Sequence, residues 1–504
     1  ELITIEKNIK IKEKINDFLI SSSDQEGLNK LFKELEFDSM VDEDSHTTFE
    51  SISNYKTITE VKSLKKIAKD INKKKLFSID LETTSINGLE AEIVGIAISL
   101  AENEGFYIPV AHLSKNPQLE LNEFIDIFKN ILENPKIKKI GQNLKYEKLV
   151  FSNYSIDLKG IFFDTMIAAH FLDSSLQSYS LDSLARKFLD YKMISYKDVT
   201  KVDKKEIRFD EVPINIATTY ACEDSDIALR LYKIFNNMLI DAKCLDDFEK
   251  NEMTFVSVLA DLEHNGAYID IKKLSEISKK FEKQITEIQK KIYGLVQFEF
   301  NINSTLQMRD VLFNKLNLKP FKKTKKGEFS TDSESLQSME GQHPIILQIL
   351  SYRFYTKLKS TYLDSLPSLI NPKTNRVHTS YNQTGTSTGR LSSSNPNLQN
   401  IPIKTKEGKQ IRDSFIPQRK NSIILSADYS QIELRLLAHF SNDPTMLKSY
   451  LNNEDIHLNT ASEIFNIPLN EVSQQERSLA KTINFGIIYG IGPKRLSLQI
   501  NSDI

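Results

Sequence analysis

From Arg477 to Gly490 the sequence reads RSLAKTINFGIIYG. Arg477, Lys481, Asn484, Phe485 and Tyr489 are separated by steps of four, three, one and four, a spacing that lays all five along one face of an α-helix. That face carries two cations, an amide and two rings. Cations spread along a helix suit a triphosphate, and a ring one turn further on suits a flat base; a solvated helix with an aromatic core stripe accounts for the spacing equally well. Upstream, DYSQIELR (428–435) follows the apolar run SIILSA. That run reads as a buried strand with Asp428 at its end. An Asp there can hold a hard divalent cation through oxygen, or simply cap a helix.

A second group of acids lies earlier. LFSIDLETTS, 76–85, alternates as a strand does, so Asp80 and Glu82 project from the same face. Their mutual repulsion is relieved by a metal ion or by edge-strand ion pairs. In YACEDSD a phenol, Tyr220, and a carboxylate, Asp224, are four apart and share a helical face. Between the two runs, GQNLKYEKLVF holds Asn143 and Glu147, also at helical spacing.

DYSQIELR, the 477–490 helix and TGRLSSSNPNLQNIP (388–402) resemble, in order, three motifs of the DNA polymerase I family (family A). The three upstream runs resemble the proofreading 3′→5′ exonuclease that precedes the polymerase in this family. LNKLFKELEF, NSTLQMRDVLF, YTKLKSTYLDSLP and INPKTNRVHTSY extend the likeness over nearly the whole chain from about residue 30. The resemblance implies an RNase H-like α/β exonuclease domain followed by a right-hand polymerase of thumb, palm and fingers. It implies DNA-templated transfer of nucleotides from dNTPs to a primer 3′-OH, with proofreading. Asp428 and the backbone carbonyl of Tyr429 would bind catalytic Mg²⁺. Arg477, Lys481 and His457 would meet the phosphates, Phe485 and Tyr489 would frame base and template, Glu433 would lie where a ribose 2′-hydroxyl would fall, and Gln431 would also bind the nucleotide. Arg390, Gln399, Asn400 and Lys357 would contact primer–template.

In the nuclease, Asp80, Glu82, Asp224 and Glu147 would be metal ligands, Tyr220 would orient the attacking water and Asn143 would touch the DNA. Two Mg²⁺ ions per site are implied, with Mn²⁺ as a substitute. The family usually has Asp where this chain has Glu147, which puts the rate of proofreading in question. The family's second polymerase carboxylate, in a His-Asp-Glu turn beyond the fingers, does not occur before Ile504. The expectation is a piece of a longer enzyme; a nuclease with a DNA-presenting, polymerase-like half is the alternative.

Composition agrees with this reading. A chain of 504 residues with 40% hydrophobic residues suits about three globular domains. The net charge of −2 gives no global sign of nucleic-acid binding, but Lys319, Lys322, Lys323, Lys325 and Lys326 crowd one loop around a Pro and a Gly. Such a loop suits phosphates, or is plainly solvated; its position is that of the family's thumb. Two cysteines make no disulfide framework, and no stretch has the length of a membrane span. The sequence opens at Glu1, and the expectation is that neither a secretory leader nor a 5′ nuclease precedes it. Heavy use of Lys, Asn and Ile points to an AT-rich genome. With the absence of a 5′ nuclease it suggests an organellar replicase such as that of the malaria-parasite plastid, the apicoplast, working with a primase and helicase. A repair polymerase I in the cytoplasm of an AT-rich bacterium is the alternative. A monomer is expected.

Punctuation and periodicity divide the chain into a helical linker (1–50), the exonuclease (51–245), palm entry and thumb (246–365), partial palm (366–436) and fingers (437–504). The linker is expected to open with a lysine-rich helix and to close in an acidic stretch.

Overall fold

The computed structural model describes residues 24–35, 37, 40, 54–202, 205–403 and 405–500. The lysine-rich helix and the acidic stretch expected near the N-terminus lie largely outside them. The chain divides into two compact units, up to Gln418 and from Arg419 onward.

A short helix, α1 (Gln25–Glu34), precedes a six-stranded sheet. The sheet is built from β1 (Asn54–Thr57), β2 (Leu76–Thr83), β3 (Ile93–Ser99), β4 (Glu104–Pro109), β5 (Lys138–Gly141) and β6 (Ile161–Asp164), in the order β1-β4-β3-β2-β5-β6. β3 runs antiparallel to both neighbours, while β2, β5 and β6 are mutually parallel. Every residue of β3 is buried, because helices cover both faces. On one face Ile93, Ile96 and Ile98 meet α2 (Val61–Lys74) and α3 (Leu121–Leu132). In α2 the inward residues are Leu64, Ile67, Ala68 and Ile71, the i, i+3, i+4, i+7 spacing of an amphipathic helix. Lys75 then takes a left-handed conformation, φ 61°, and ends it.

On the other face lies α8 (Ile214–Asp241), whose small residues let it settle directly on the sheet. Val94, Ala97 and Tyr107 pack with Ala217, Ala221 and Cys222. Ser99 and Ser225 hydroxyls are 2.7 Å apart. A Cβ on Gly105 would sit 2.5 Å from Cys222 Cβ, so glycine is what permits this approach. Between β5 and α8 in the chain come α4 (Leu144–Ser152), α5 (Thr165–Leu172), α6 (Leu181–Leu189) and α7 (Tyr196–Thr200).

Beyond Asp241 the first unit is mainly helical. Helix Ile271–Val296 gives Leu274, Ile277 and Phe281 to one core and Ile288 and Ile292 to another, shared with helix Ile345–Leu358. Two small hairpins follow, Ile370–Asn371 with Arg376–Val377 and Ser380–Asn382 with Ser392–Ser394. The second unit is helical, with helices Ile432–Ser441, Pro444–Leu451, Ile456–Phe465, Gln474–Ile488 and Pro493–Ile500.

One expectation needs correction. SIILSA forms no strand, and Ile423, Ile424 and Leu425 are 85%, 60% and 85% exposed. An apolar run becomes a buried strand only when another strand takes up its amides and carbonyls, and among the described residues none pairs with it.

Candidate active sites

The strand expected at 76–85 is β2, and Asp80 and Glu82 point from one face of it. Opposite them on β3 stand Ala97 and Gly95, whose small size leaves room beside the acids. A Cβ at Gly95 would lie 2.1 Å from the Tyr107 hydroxyl; that buried phenol occupies the space instead and meets His112 Nε2 at 2.7 Å. Asp224 arrives from α8, and a carboxylate oxygen from each of Asp80, Glu82 and Asp224 lies within 4.8 Å of the others.

Burial pushes the Asp80 carboxyl up to about 7. Glu82 is raised well above the usual range by burial first, then by the charges of Asp80, Asp224 and Glu147. Asp224 is raised by burial and by Asp80 and Glu223. Three crowded acids without a cation therefore resist ionisation. Glu147, in the first turn of α4, lines the same cleft but lies outside the close trio. It is 3% exposed, and its Oε2 has no hydrogen-bond partner. An all-oxygen donor set with an orphaned buried carboxylate oxygen fits a hard divalent cation. Tyr220 stands four residues before Asp224 on α8. Burial and then the charge of Asp224 drive its phenol far above the ordinary range, so it stays protonated.

The cleft has a volume of about 720 Å³ and is also lined by Gln142, Asn143, the Ser174–Ser180 loop and the turn Thr384–Ser387. Several positioning residues escaped the sequence reading. Asp164, fully buried, accepts from the backbone N–H of Leu144 at 2.7 Å and from those of Met166 and Ile167 at 3.0 and 3.3 Å, pinning the starts of α4 and α5 together. Its run FFDTM carried a readable capping signal. Lys145, next on α4, pairs with Glu263 at 2.5 Å and donates to the Tyr381 carbonyl; Glu263 also accepts from Tyr381 N at 2.6 Å. Nothing local announces that link.

In the second unit the expected helix is Gln474–Ile488, opened by a capping box of Ser473 and Glu476. Arg477 is ion-paired with Asp455 at 2.7 Å. Lys481 is exposed, 6.0 Å from the Phe485 ring centroid, and Tyr489 ends the helix, donating to Glu433 at 2.6 Å. His457 is buried beside Phe485; its Nδ1 meets Asn484 Nδ2 at 3.1 Å and its Nε2 has no partner. Gln431, just before helix Ile432–Ser441, takes a left-handed conformation and accepts from Tyr450 at 3.2 Å. Asp428 and Tyr429 are exposed on the unpaired segment. In the first unit Arg390, Gln399, Asn400 and Lys357 are exposed. Of the lysine loop, Lys322 is taken up by Asp332 at 3.0 Å and by Glu334, while Lys323 lies over the Phe329 ring. The loop thus offers less net charge to phosphates than its sequence implies.

A six-stranded mixed sheet with carboxylates converging from β2 and α8 defines the exonuclease class of α/β domain. Residues 55–240 match the 3′-5′ exonuclease family and residues 271–503 match DNA polymerase family A, so the chain carries an exonuclease domain followed by a family A polymerase region. Similar proteins include the DNA polymerase I of Borreliella burgdorferi, 41% identical over 97% of this chain and 53% of that protein. That of Pseudomonas aeruginosa is 37% identical over 99% and 57%, and that of Bacillus subtilis 32% identical over 99% and 55%. The chain spans about half the length of these curated relatives. Among solved structures, the POL domain of Pol1 from M. smegmatis, in complex with DNA primer-template and dNTP, aligns with a TM-score of 0.77 at 28% identity, covering 89% of this chain and 74% of that one.

Proposed function

We propose that this chain carries the exonuclease and the first part of the polymerase of a DNA polymerase I, an enzyme that extends a primer by templated transfer from dNTPs and removes misplaced nucleotides in the 3′→5′ direction. The observation that carries the reading is the convergence of Asp80, Glu82 and Asp224 in a cleft within the exonuclease-matching region, followed by the family A region.

Asp80, Glu82 and Asp224, with Glu147 beside them, would hold the divalent cations, Mg²⁺ or in its place Mn²⁺. Two such ions would supply activation of water and neutralisation of the leaving 3′-oxygen. Tyr220, kept protonated by its surroundings, orients that water through its hydroxyl, and Asn143 contacts the terminal nucleotide. In the polymerase, Asp428 and the Tyr429 carbonyl would hold the metal. Lys481 reaches the triphosphate directly; Arg477 does so when Asp455 yields it. His457 offers Nε2–H to a phosphate oxygen, and Phe485 and Tyr489 flank the base. Glu433, with Gln431 near it, closes the position of a ribose 2′-hydroxyl. Arg390, Gln399, Asn400, Lys357 and the loop with Lys322 and Lys323 contact primer–template. Phosphoryl transfer asks for this positioning and charge neutralisation more than for covalent chemistry.

The bacterial relatives support a bacterial cytoplasm as the setting. The plastid setting, with its primase and helicase partners, rests on the Lys-, Asn- and Ile-rich composition, which an AT-rich bacterial genome produces as well. Among the described residues no helix is long and apolar enough to cross a membrane, and a monomer is proposed. The test uses the natural full-length protein carrying Asp80→Ala and Glu82→Ala. Digestion of 3′ ends is lost while primer extension continues at close to its original rate; digestion that survives the double change sinks the assignment.

A further inference from the structure

The cleft that holds Asp80, Glu82 and Asp224 is lined by acids, amides, hydroxyls, phenols and apolar groups, and among its described lining residues there is no lysine or arginine. A polyanionic strand entering it finds its cations only at the metal ligands. Everywhere else its phosphates must be met by neutral donors, which hydroxyls and backbone amides supply routinely. One wall of neutral donors, Thr384 to Ser387, comes not from the exonuclease-matching region but from the region matching family A.

That turn is built into the cleft at two points. At its tip, His170 Nε2 on α5 lies 2.8 Å from the Thr386 carbonyl oxygen, and the Thr386 hydroxyl closes the turn on the Arg390 carbonyl at 2.7 Å. At its root, Lys145 and Glu263 grip the Tyr381 backbone, and the Lys145 and Glu263 side chains are only 14% and 5% exposed. The strand so held pairs with Ser392–Ser394. A turn fixed to α5 at one end and to α4 at the other keeps its distance from the carboxylates, which a merely overhanging loop does not.

We propose that Thr384 and Ser387 are substrate-binding residues of the exonuclease, holding the single-stranded 3′ end through neutral contacts to phosphates upstream of the bond that is cut. The inference rests on the exonuclease reading above. A substrate of two nucleotides ends at the carboxylates, whereas a longer strand runs on to the turn. The turn therefore discriminates by strand length, and because its contacts release no condensed counterions from lysine or arginine pairing, the KM of a short single strand depends weakly on salt.

The experiment uses the full-length protein with Thr384→Ala and Ser387→Ala together, measuring Mg²⁺-dependent digestion of a hexanucleotide and of a dinucleotide. The KM of the hexanucleotide rises about three- to tenfold and that of the dinucleotide by clearly less, so the preference for the longer strand shrinks. The exchange Thr384→Ser with Ser387→Thr, which keeps both hydroxyls, restores it. If both KM values move by one factor, if neither moves, or if the hydroxyl-retaining pair behaves like the alanine pair, the turn is not a substrate contact. A parent protein that digests neither substrate overturns the exonuclease reading itself, and this inference with it. The rise in melting temperature on adding Mn²⁺, followed on the same preparations, separates a lost metal site from a lost strand contact.

Discussion

At Glu147 a carboxylate oxygen is buried without a partner, and burial together with the charge of Asp80 holds its carboxyl well above the usual range. With no cation bound, that group is a source of instability; in the proposed metal site it would be relieved as a ligand. Glu147→Gln keeps the size and removes the charge. In a chelator the variant melts about 2–4 °C higher, the shift that ~1 kcal/mol produces in a domain of 150–250 residues, and the further rise on adding Mn²⁺ is smaller than in the parent. Scanning calorimetry with and without the ion checks both, and a variant that melts lower in chelator shows that the buried acid is already satisfied. Lys481 is the second residue whose surroundings make a prediction. It is exposed and lies 6.0 Å from the Phe485 ring centroid, within cation–π reach, so its charge is available to a triphosphate. Lys481→Ala removes a charge-assisted contact of roughly 1.5–3 kcal/mol and weakens dNTP use by about ten- to a hundredfold. DNA affinity, measured by anisotropy, barely moves; an equal loss there makes Lys481 a backbone contact instead.

Among the elements, α8 decides the geometry of the nuclease site. Its run CEDSD sends three carboxylates in different directions. Asp224 faces the cleft, while Glu223 accepts from Tyr191 at 2.7 Å and from Ile194 N at 2.7 Å. Asp226 accepts from Tyr55 at 2.9 Å and from Asn103 N at 2.9 Å, and pairs with Arg230. Asp226 fixes the helix against β1 and the β3–β4 turn, and Glu223 against the segment Tyr191–Ile194, which together aim Asp224 and Tyr220. Asp226 is fully buried and Arg230 partly so. Removing one partner of such a pair strands the other, at a cost of about 3–5 kcal/mol. Asp226→Ala thus lowers the urea midpoint strongly, and a loss under about 1 kcal/mol would mean that the pair does not hold α8.

At the scale of the whole molecule, the two compact units are joined through residues 418–430, all exposed and all outside helix and strand. Backbone of that kind is where a protease enters first. Brief trypsin treatment of the native protein cuts after Arg419 or Lys420 before it cuts within β1–β6, and mass spectrometry of the early fragments reads the order. First cleavage inside the exonuclease sheet contradicts the division. The grip of Lys145 and Glu263 on Tyr381 acts at the same scale, because it ties the α4 that bears Glu147 to a hairpin of the polymerase region.

Asp80 with Glu82, Tyr220 with Asp224, and the row from Arg477 to Tyr489 were legible in the sequence because each depends on a period of 2 or 3.6 residues, which the chain carries locally. Glu147 was legible by its place in a motif, although not its unpartnered oxygen. The fate of SIILSA was not legible: its pattern is that of a strand, but pairing belongs to two segments and the pattern to one. Asp455 and Asp332 likewise lie 22 residues from Arg477 and 10 from Lys322, so the sequence displayed cations whose availability only folding decides. The same holds for the wall at Thr384–Ser387. Its hydroxyls are ordinary turn residues along the chain, and they become part of a nuclease cleft only because long-range contacts at His170 and Tyr381 carry them there.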